Sequence, residues 1–182
     1  DGWSIKMPQP IQYSLNLVDW VDLPKNTATP TLNTGQRIFF KGHHTNMTFG
    51  STSGFGKMSI QQKNCNVYGN IMSLLYGGAF LGKTSLSGKD WAFAKLLNSN
   101  QSLVKIENLR LPATTLSKYC YYEMFNSCKK ITKGTELPSL VLTEGCYNSM
   151  FYNCSGLTET PVLSAETLVK YCYNAMFMHC PA

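Results

Sequence analysis

The sequence predicts an α+β chain in which a small β-sandwich-like cap leads into a solenoid of stacked units, each one short strand and one helical turn. Three observations carry that expectation. A ten-residue block returns at a fixed step of 26 residues through the C-terminal half. The segment ahead of it is a series of short β-prone runs separated by turn residues. The composition of the 182-residue chain, 43% hydrophobic and only 14% charged, is globular. Together they divide the chain into a β-rich module at 1–68, an entry segment at 69–90 and the array at 91–182.

The repeated block is Tyr119-Cys120-Tyr121-Tyr122-Glu123-Met124-Phe125-Asn126-Ser127-Cys128. It returns as Gly145-Cys146-Tyr147-Asn148-Ser149-Met150-Phe151-Tyr152-Asn153-Cys154 and as Tyr171-Cys172-Tyr173-Asn174-Ala175-Met176-Phe177-Met178-His179-Cys180. Leu116, Leu142 and Leu168 stand four residues before the first cysteine of each copy, and Ile131 and Leu157 three residues after the second. A degenerate copy lies upstream, where Trp91-Ala92-Phe93-Ala94-Lys95-Leu96-Leu97 takes the place of the block. A unit this short cannot bury its own apolar face, so its Leu, Met, Phe, Tyr and Cys positions must stack on the next copy. The apolar positions of the block have helix-like offsets, and Leu109 to Leu111, Glu136-Leu137 and Val162-Leu163 suit short strands.

Leu111-Pro112-Ala113-Thr114-Thr115-Leu116, followed by the Cys-Tyr-x-x-Met-Phe-x-x-Cys pattern, resembles the BspA-type leucine-rich repeats of surface proteins from Gram-negative gut and oral anaerobes. The likeness covers residues 65–182 well and the remainder weakly. It implies a leucine-rich-repeat solenoid on an exported, cell-surface protein that engages a host protein, another bacterium or a glycan. It does not imply catalysis.

In the N-terminal module the β-prone runs are Gln12-Tyr13-Ser14-Leu15-Asn16-Leu17, Trp20-Val21-Asp22-Leu23, Arg37-Ile38-Phe39-Phe40-Lys41 and Lys57-Met58-Ser59-Ile60. Pro24-Lys25-Asn26, Asn33-Thr34-Gly35 and the Gly/Ser/Thr-rich stretch at 48–56 separate them. Strands at this spacing suggest a small sandwich covering the apolar end of the array. The alternative is that this module is itself a carbohydrate-binding sandwich, with the repeats as a spacer.

Net charge is +6, and residues 1–102 hold nine Lys/Arg against four Asp/Glu, so the array is nearly neutral. No run of five or more basic residues occurs and the aromatics are periodic, which argues against a nucleic-acid partner. No apolar run approaches the roughly 20 residues of a membrane span.

Gly77-Gly78-Ala79-Phe80-Leu81-Gly82-Lys83-Thr84 matches the string of a phosphate-binding loop. Such a loop needs a parallel sheet behind it and a helix starting at the Lys-Thr pair, whereas Ser87-Gly88 interrupts and repeats follow. The string is therefore read as a turn, and no nucleotide or other cofactor is expected. His43, His44 and His179 lack the spacing of a zinc site, and the six recurring cysteines read as two columns of reduced, buried thiols: Cys120, Cys146 and Cys172, and Cys128, Cys154 and Cys180.

Tyr121, Tyr147 and Tyr173 recur in every copy and are expected to pack internally, whereas Tyr122 changes to Asn148 and Asn174 and is expected at the surface. The same variability marks Lys105, Glu107, Arg110, Lys133, Thr135, Glu136, Glu159 and Thr160, with Tyr122, as the candidate binding face. The function these residues suggest is non-enzymatic recognition of a protein or glycan at a host or bacterial surface. The last copy is incomplete. Its Leu168, Met176 and Phe177 are expected to be uncovered, so that either the natural protein continues past Ala182 or the chain self-associates through 163–182.

Overall fold

The computed structural model describes residues 2, 4–42, 48–51, 53–61 and 64–181; His43 and His44 lie outside them. In chain order the strands are β1 (Ser4–Lys6), β2 (Ile11–Ser14), β3 (Val21–Leu23), β4 (Phe39–Gly42), β5 (Gly50–Ser51), β6 (Gly54–Phe55), β7 (Ser59–Gln61), β8 (Cys65–Asn66) and β9 (Gly69–Asn70). The helix α1 (Ser73–Tyr76) and a 3-10 turn (Gly77–Ala79) follow, then β10 (Leu103–Lys105) and β11 (Leu109–Arg110).

The four β-prone runs at the N terminus each contain a strand, but they do not form a sandwich. β2 lies between β3 and β4 in a three-stranded antiparallel sheet, β1 pairs with β7, and β5 pairs with β6. Strands of two to four residues cannot build two facing layers. Side-chain chemistry sets some of their ends. The run beginning at Gln12 stops at Ser14 because the Ser14 hydroxyl accepts the amides of Asn16 and Leu17, and the Asn16 side-chain oxygen accepts those of Val18 and Asp19. These local bonds compete with the ladder and place Leu17 at φ 67°.

The expected solenoid of strand-and-helical-turn units is also overturned. Among the described residues the chain is short strands, turns and coil, with one short helix and only small sheets. The first strand segment does form β11, and β10 and β11 pair in parallel with β8 and β9. The later segments at 136–137 and 162–163 do not become strands, and only a single parallel bridge, Lys133 to Glu159, joins them. Hydroxyls replace the ladder there: Thr135 donates to the Leu109 carbonyl, Ser139 to that of Thr114 and Thr143 to that of Ser117.

The Cys-Tyr-x-x-Met-Phe blocks are runs of consecutive turns. Tyr119, Glu123 and Ser127 take positive φ, as do Gly145, Ser149 and Asn153, and Tyr171, Ala175 and His179. A left-handed residue at every fourth position prevents a right-handed helix from propagating. Amides therefore alternate in partner. Those of Tyr122, Met124 and Asn126 close turns on carbonyls three residues back, while those of Tyr119, Tyr121, Glu123, Phe125 and Ser127 reach Glu144, Cys146, Asn148, Met150 and Tyr152 at 2.7–3.0 Å. Gly145, Tyr147, Ser149, Phe151 and Asn153 bond in the same way to Lys170, Cys172, Asn174, Met176 and Met178. On the other side, amides of Phe49, Gly50 and Met58 reach the carbonyls of Ala92, Trp91 and Leu96, joining the N-terminal strands to the degenerate copy.

Side chains follow the backbone. Phe49, Phe93, Tyr121, Tyr147 and Tyr173 stack face to face at centroid distances of 5.7–6.1 Å, and Phe125, Phe151 and Phe177 at 5.3 and 5.9 Å. The buried residues form one continuous cluster from Ile5 to Met176. The buried phenol oxygens of Tyr121 and Tyr147 have no hydrogen-bond partner among the described residues.

All seven cysteines are free thiols. The second column is a ladder in which Cys128, Cys154 and Cys180 each donate to a carbonyl of the neighbouring segment, Leu97, Phe125 and Phe151, at 3.0 Å. Burial pushes the Cys128 and Cys154 thiols up to about 12 and Cys65 and Cys146 up to about 11, and raises Cys120 further still. The thiolate, the reactive form, is therefore scarce at neutral pH. A thiol titration at pH 8 without reductant is expected to reach only the half-buried Cys65 and Cys180 in the native chain, and the other five after denaturation. Intramolecular disulfides in the mass spectrum would contradict this.

At the C-terminal edge the expected exposure divides. Leu168 is 67% exposed, Phe177 is half-buried, and Met176 is covered at 2%. The backbone amides of Tyr171, Tyr173, Ala175, Phe177 and His179 have no partner among the described residues. This edge offers donors at every second residue, whereas the alternate carbonyls already accept from the preceding segment.

Candidate functional site

The turn runs place equivalent residues side by side, so a column is read across segments. One column holds Trp91, Tyr119, Gly145 and Tyr171, all at φ between 54° and 62°. Trp91 and Tyr119 stack in parallel at 4.2 Å with 4° between planes. At the next position the ring is missing. A Cβ built on Gly145 would lie 2.2 Å from Cε1 of Tyr119, so the glycine permits that ring to lean over the position a larger side chain would take.

Beside this column lies a trough of about 370 Å³ lined by Phe55, Trp91, Tyr119, Tyr122, Asn148, Tyr171 and Asn174. Tyr122 stands edge-on to both Trp91 and Tyr119 at 5.7 and 5.9 Å, and Phe55 closes one side at 5.4 Å from Trp91. Phe55 and Tyr171 are 38% and 49% exposed, so the aromatic walls face solvent. The Asn148 side-chain oxygen accepts the Ser149 hydroxyl, while its amide nitrogen and the Asn174 side chain have no partner among the described residues.

Charges fix the rim. Glu144 lies between Lys118 at 3.3 Å and Lys170 at 3.5 Å, and the Lys118 hydrogen bond holds its carboxyl below the usual range. Lys95 pairs with Glu123 at 3.3 Å and sits 4.6 Å over the Phe55 ring. Burial, helped by the hydrogen bond to Glu123, pushes the Tyr122 phenol up to about 12, and burial with the Glu144 charge raises Tyr119. Both phenols stay neutral near pH 7, with their O–H groups directed at Glu144 and Glu123. The arrangement offers flat apolar faces, neutral hydroxyls and amides, and paired rim charges.

Of the residues singled out by repeat variability, only Tyr122 lies in this trough. Lys105 and Arg110 are exposed on β10 and β11, Glu136 and Thr160 are exposed, and Glu107 is half-buried. Lys133 and Glu159 are exposed but pair with each other at 2.6 Å. Thr135 is buried at 2%, its hydroxyl held by the Leu109 carbonyl, so it presents nothing to a partner. The variability argument passes over Phe55, Trp91, Tyr119 and Tyr171. The signal that finds them is the column Trp91, Tyr119, Gly145, Tyr171, in which one copy lacks a ring its neighbours carry.

The phosphate-loop string forms the 3-10 turn and a following turn closed by the Lys83 amide on the Phe80 carbonyl, with no helix starting at Lys83-Thr84. The Thr84 carbonyl instead accepts the amides of Thr114 and Thr115, and Lys83 Nζ lies 5.5 Å over the Tyr76 ring. His179 meets Tyr152 edge-on at 5.2 Å. No group of three or more metal-ligating side chains occurs among the described residues, and none of their helices is long and apolar enough to cross a membrane.

Comparison with protein families, curated proteins and solved structures finds no match for the chain.

Proposed function

We propose that this chain is a non-enzymatic recognition scaffold, exported to a cell surface, that binds a glycan in the aromatic trough. The observation that carries the reading is the trough itself, walled by the stacked Trp91–Tyr119 pair, Phe55, Tyr122 and Tyr171. A sugar ring presents an apolar C–H face and a polar edge. Aromatic faces take the first, and the Asn148 and Asn174 amides take the second. The placement at a surface rests on the likeness of the repeated block to BspA-type surface proteins.

The trough is favoured over the row at Glu107, Lys133 and Glu159 because the charges of that row satisfy one another. Without a β-sandwich at the N terminus, the alternative of a carbohydrate-binding sandwich has no framework. Self-association through 163–182 meets a chemical limit. Two such edges brought together would set donor against donor, so any association there rests on exposed apolar side chains such as Leu168 and Met178.

Affinity electrophoresis through gels containing a panel of polysaccharides tests the reading. At least one polysaccharide is expected to retard the chain, and Tyr122→Ala to weaken that retardation about ten-fold, or about 1.4 kcal/mol. Passage of the wild-type chain through every gel without retardation would count against a glycan ligand.

A further inference from the structure

A second concavity lies away from the trough, between the N-terminal strands and the segment that carries β8, β9 and α1. Its volume is about 500 Å³, well inside the roughly 300–1,000 Å³ of small-molecule sites. Protein interiors are close-packed, with few voids larger than a water molecule, so a space of this size is not ordinary core. Its inner wall is made of buried aliphatic side chains, among them Ile5, Met58, Ile71, Leu74, Leu97 and Leu109. Such a wall suits an alkyl chain and would leave a ligand's buried hydroxyls or phosphates unsatisfied, while Gln36, Asn66, Asn70 and Ser73 line other parts of the concavity.

Among the described residues the lining also includes two cations and no carboxylate. Lys41 Nζ sits 4.0 Å over the Trp20 ring and the Arg37 guanidinium 5.8 Å over the Tyr68 ring, and neither forms an ion pair among the described residues. An aromatic face attracts a cation without neutralising it. An apolar interior with two uncompensated positive charges on aromatic platforms complements a molecule that is apolar along its length and anionic at one end. We propose that this cavity binds a single-chain amphipathic anion of the long-chain fatty-acid class, the alkyl chain inside and the carboxylate at Arg37 and Lys41. The proposal is independent of the glycan reading.

Calorimetric titration of the full chain with decanoate, laurate and myristate tests it. One saturable site is expected, with affinity rising up to about four-fold per added methylene as each is buried. Laurate should bind about ten-fold more tightly than dodecanol, which lacks the charge. The double variant Arg37→Gln/Lys41→Gln, altered only at the charged groups, should remove that preference while retaining the chain-length dependence. Ile60→Trp, which fills part of the cavity from a half-buried position on β7, should weaken myristate binding more than ten-fold. Absence of saturable myristate binding to the folded wild-type chain would overturn the proposal. So would an unchanged preference for laurate over dodecanol in the double variant.

Discussion

Replacing Phe151 with alanine is expected to destabilise the chain by about 3–5 kcal/mol, the range for deleting a fully buried aromatic side chain. Phe151 has no exposed surface and lies between the Phe125 ring at 5.3 Å and the Phe177 ring at 5.9 Å. Its carbonyl accepts both the Cys154 amide and the Cys180 thiol. The cavity left behind cannot collapse easily, because the flanking segments are held at fixed spacing by five amide bonds on each side. Phe177→Ala supplies the internal control. That ring is half-buried and stacks on one neighbour only, so its loss should cost about 1–2 kcal/mol. Urea unfolding of the two variants measures both, and equal midpoints would show that the rings do not act as a stacked column. A loss of 3–5 kcal/mol is a large share of the roughly 5–15 kcal/mol typical of a domain.

Gly145→Tyr is expected to lower glycan affinity at least 100-fold while leaving the fold intact. The left-handed backbone at this position, φ 62°, is one that Tyr119 and Tyr171 already adopt at the equivalent places, so a tyrosine there is compatible with the segment. The contacts a new Cβ would meet are ring atoms of Tyr119, the movable end of a side chain and not backbone. Tyr119 can therefore swing aside, and the added ring completes the column from Trp91 to Tyr171. Moving Tyr119 disrupts the aromatic wall on which a sugar would stack.

What the residues disclosed in advance was the side-by-side placement of like positions. Tyr121, Tyr147 and Tyr173 recur in each block, and their rings do stack internally. What they concealed was the backbone. The spacing of Cys120, Met124 and Cys128 reads as one face of a helix, but a strict period of four drifts about 40° per step on a helix of 3.6 residues per turn. Such a period suits turns that repeat every four residues. The left-handed positions carry Glu123, Ser127, Ser149 and Ala175, residue types that give no warning of positive φ. Only Gly145, Asn153 and His179 carry residue types enriched there.

The N-terminal strands were legible as strands because β-branched and aromatic residues cluster between turn residues. Their assembly was not, since register and partner depend on contacts distant in sequence, such as β1 with β7 and β8 with β10. The candidate face drawn from repeat variability found Tyr122 and missed its neighbours. Variation at a position measures freedom from core packing, whereas the trough is walled by large rings at neighbouring positions of adjacent segments.

A glycan array run side by side on the wild-type chain and on Gly145→Tyr, at a temperature where circular dichroism shows both folded, tests the central claim most directly. The predicted result is that the wild-type chain binds a defined group of glycans and the variant binds none of them. Identical binding profiles for the two proteins, or no glycan bound by the wild-type chain, would contradict the assignment of the aromatic trough as a sugar site.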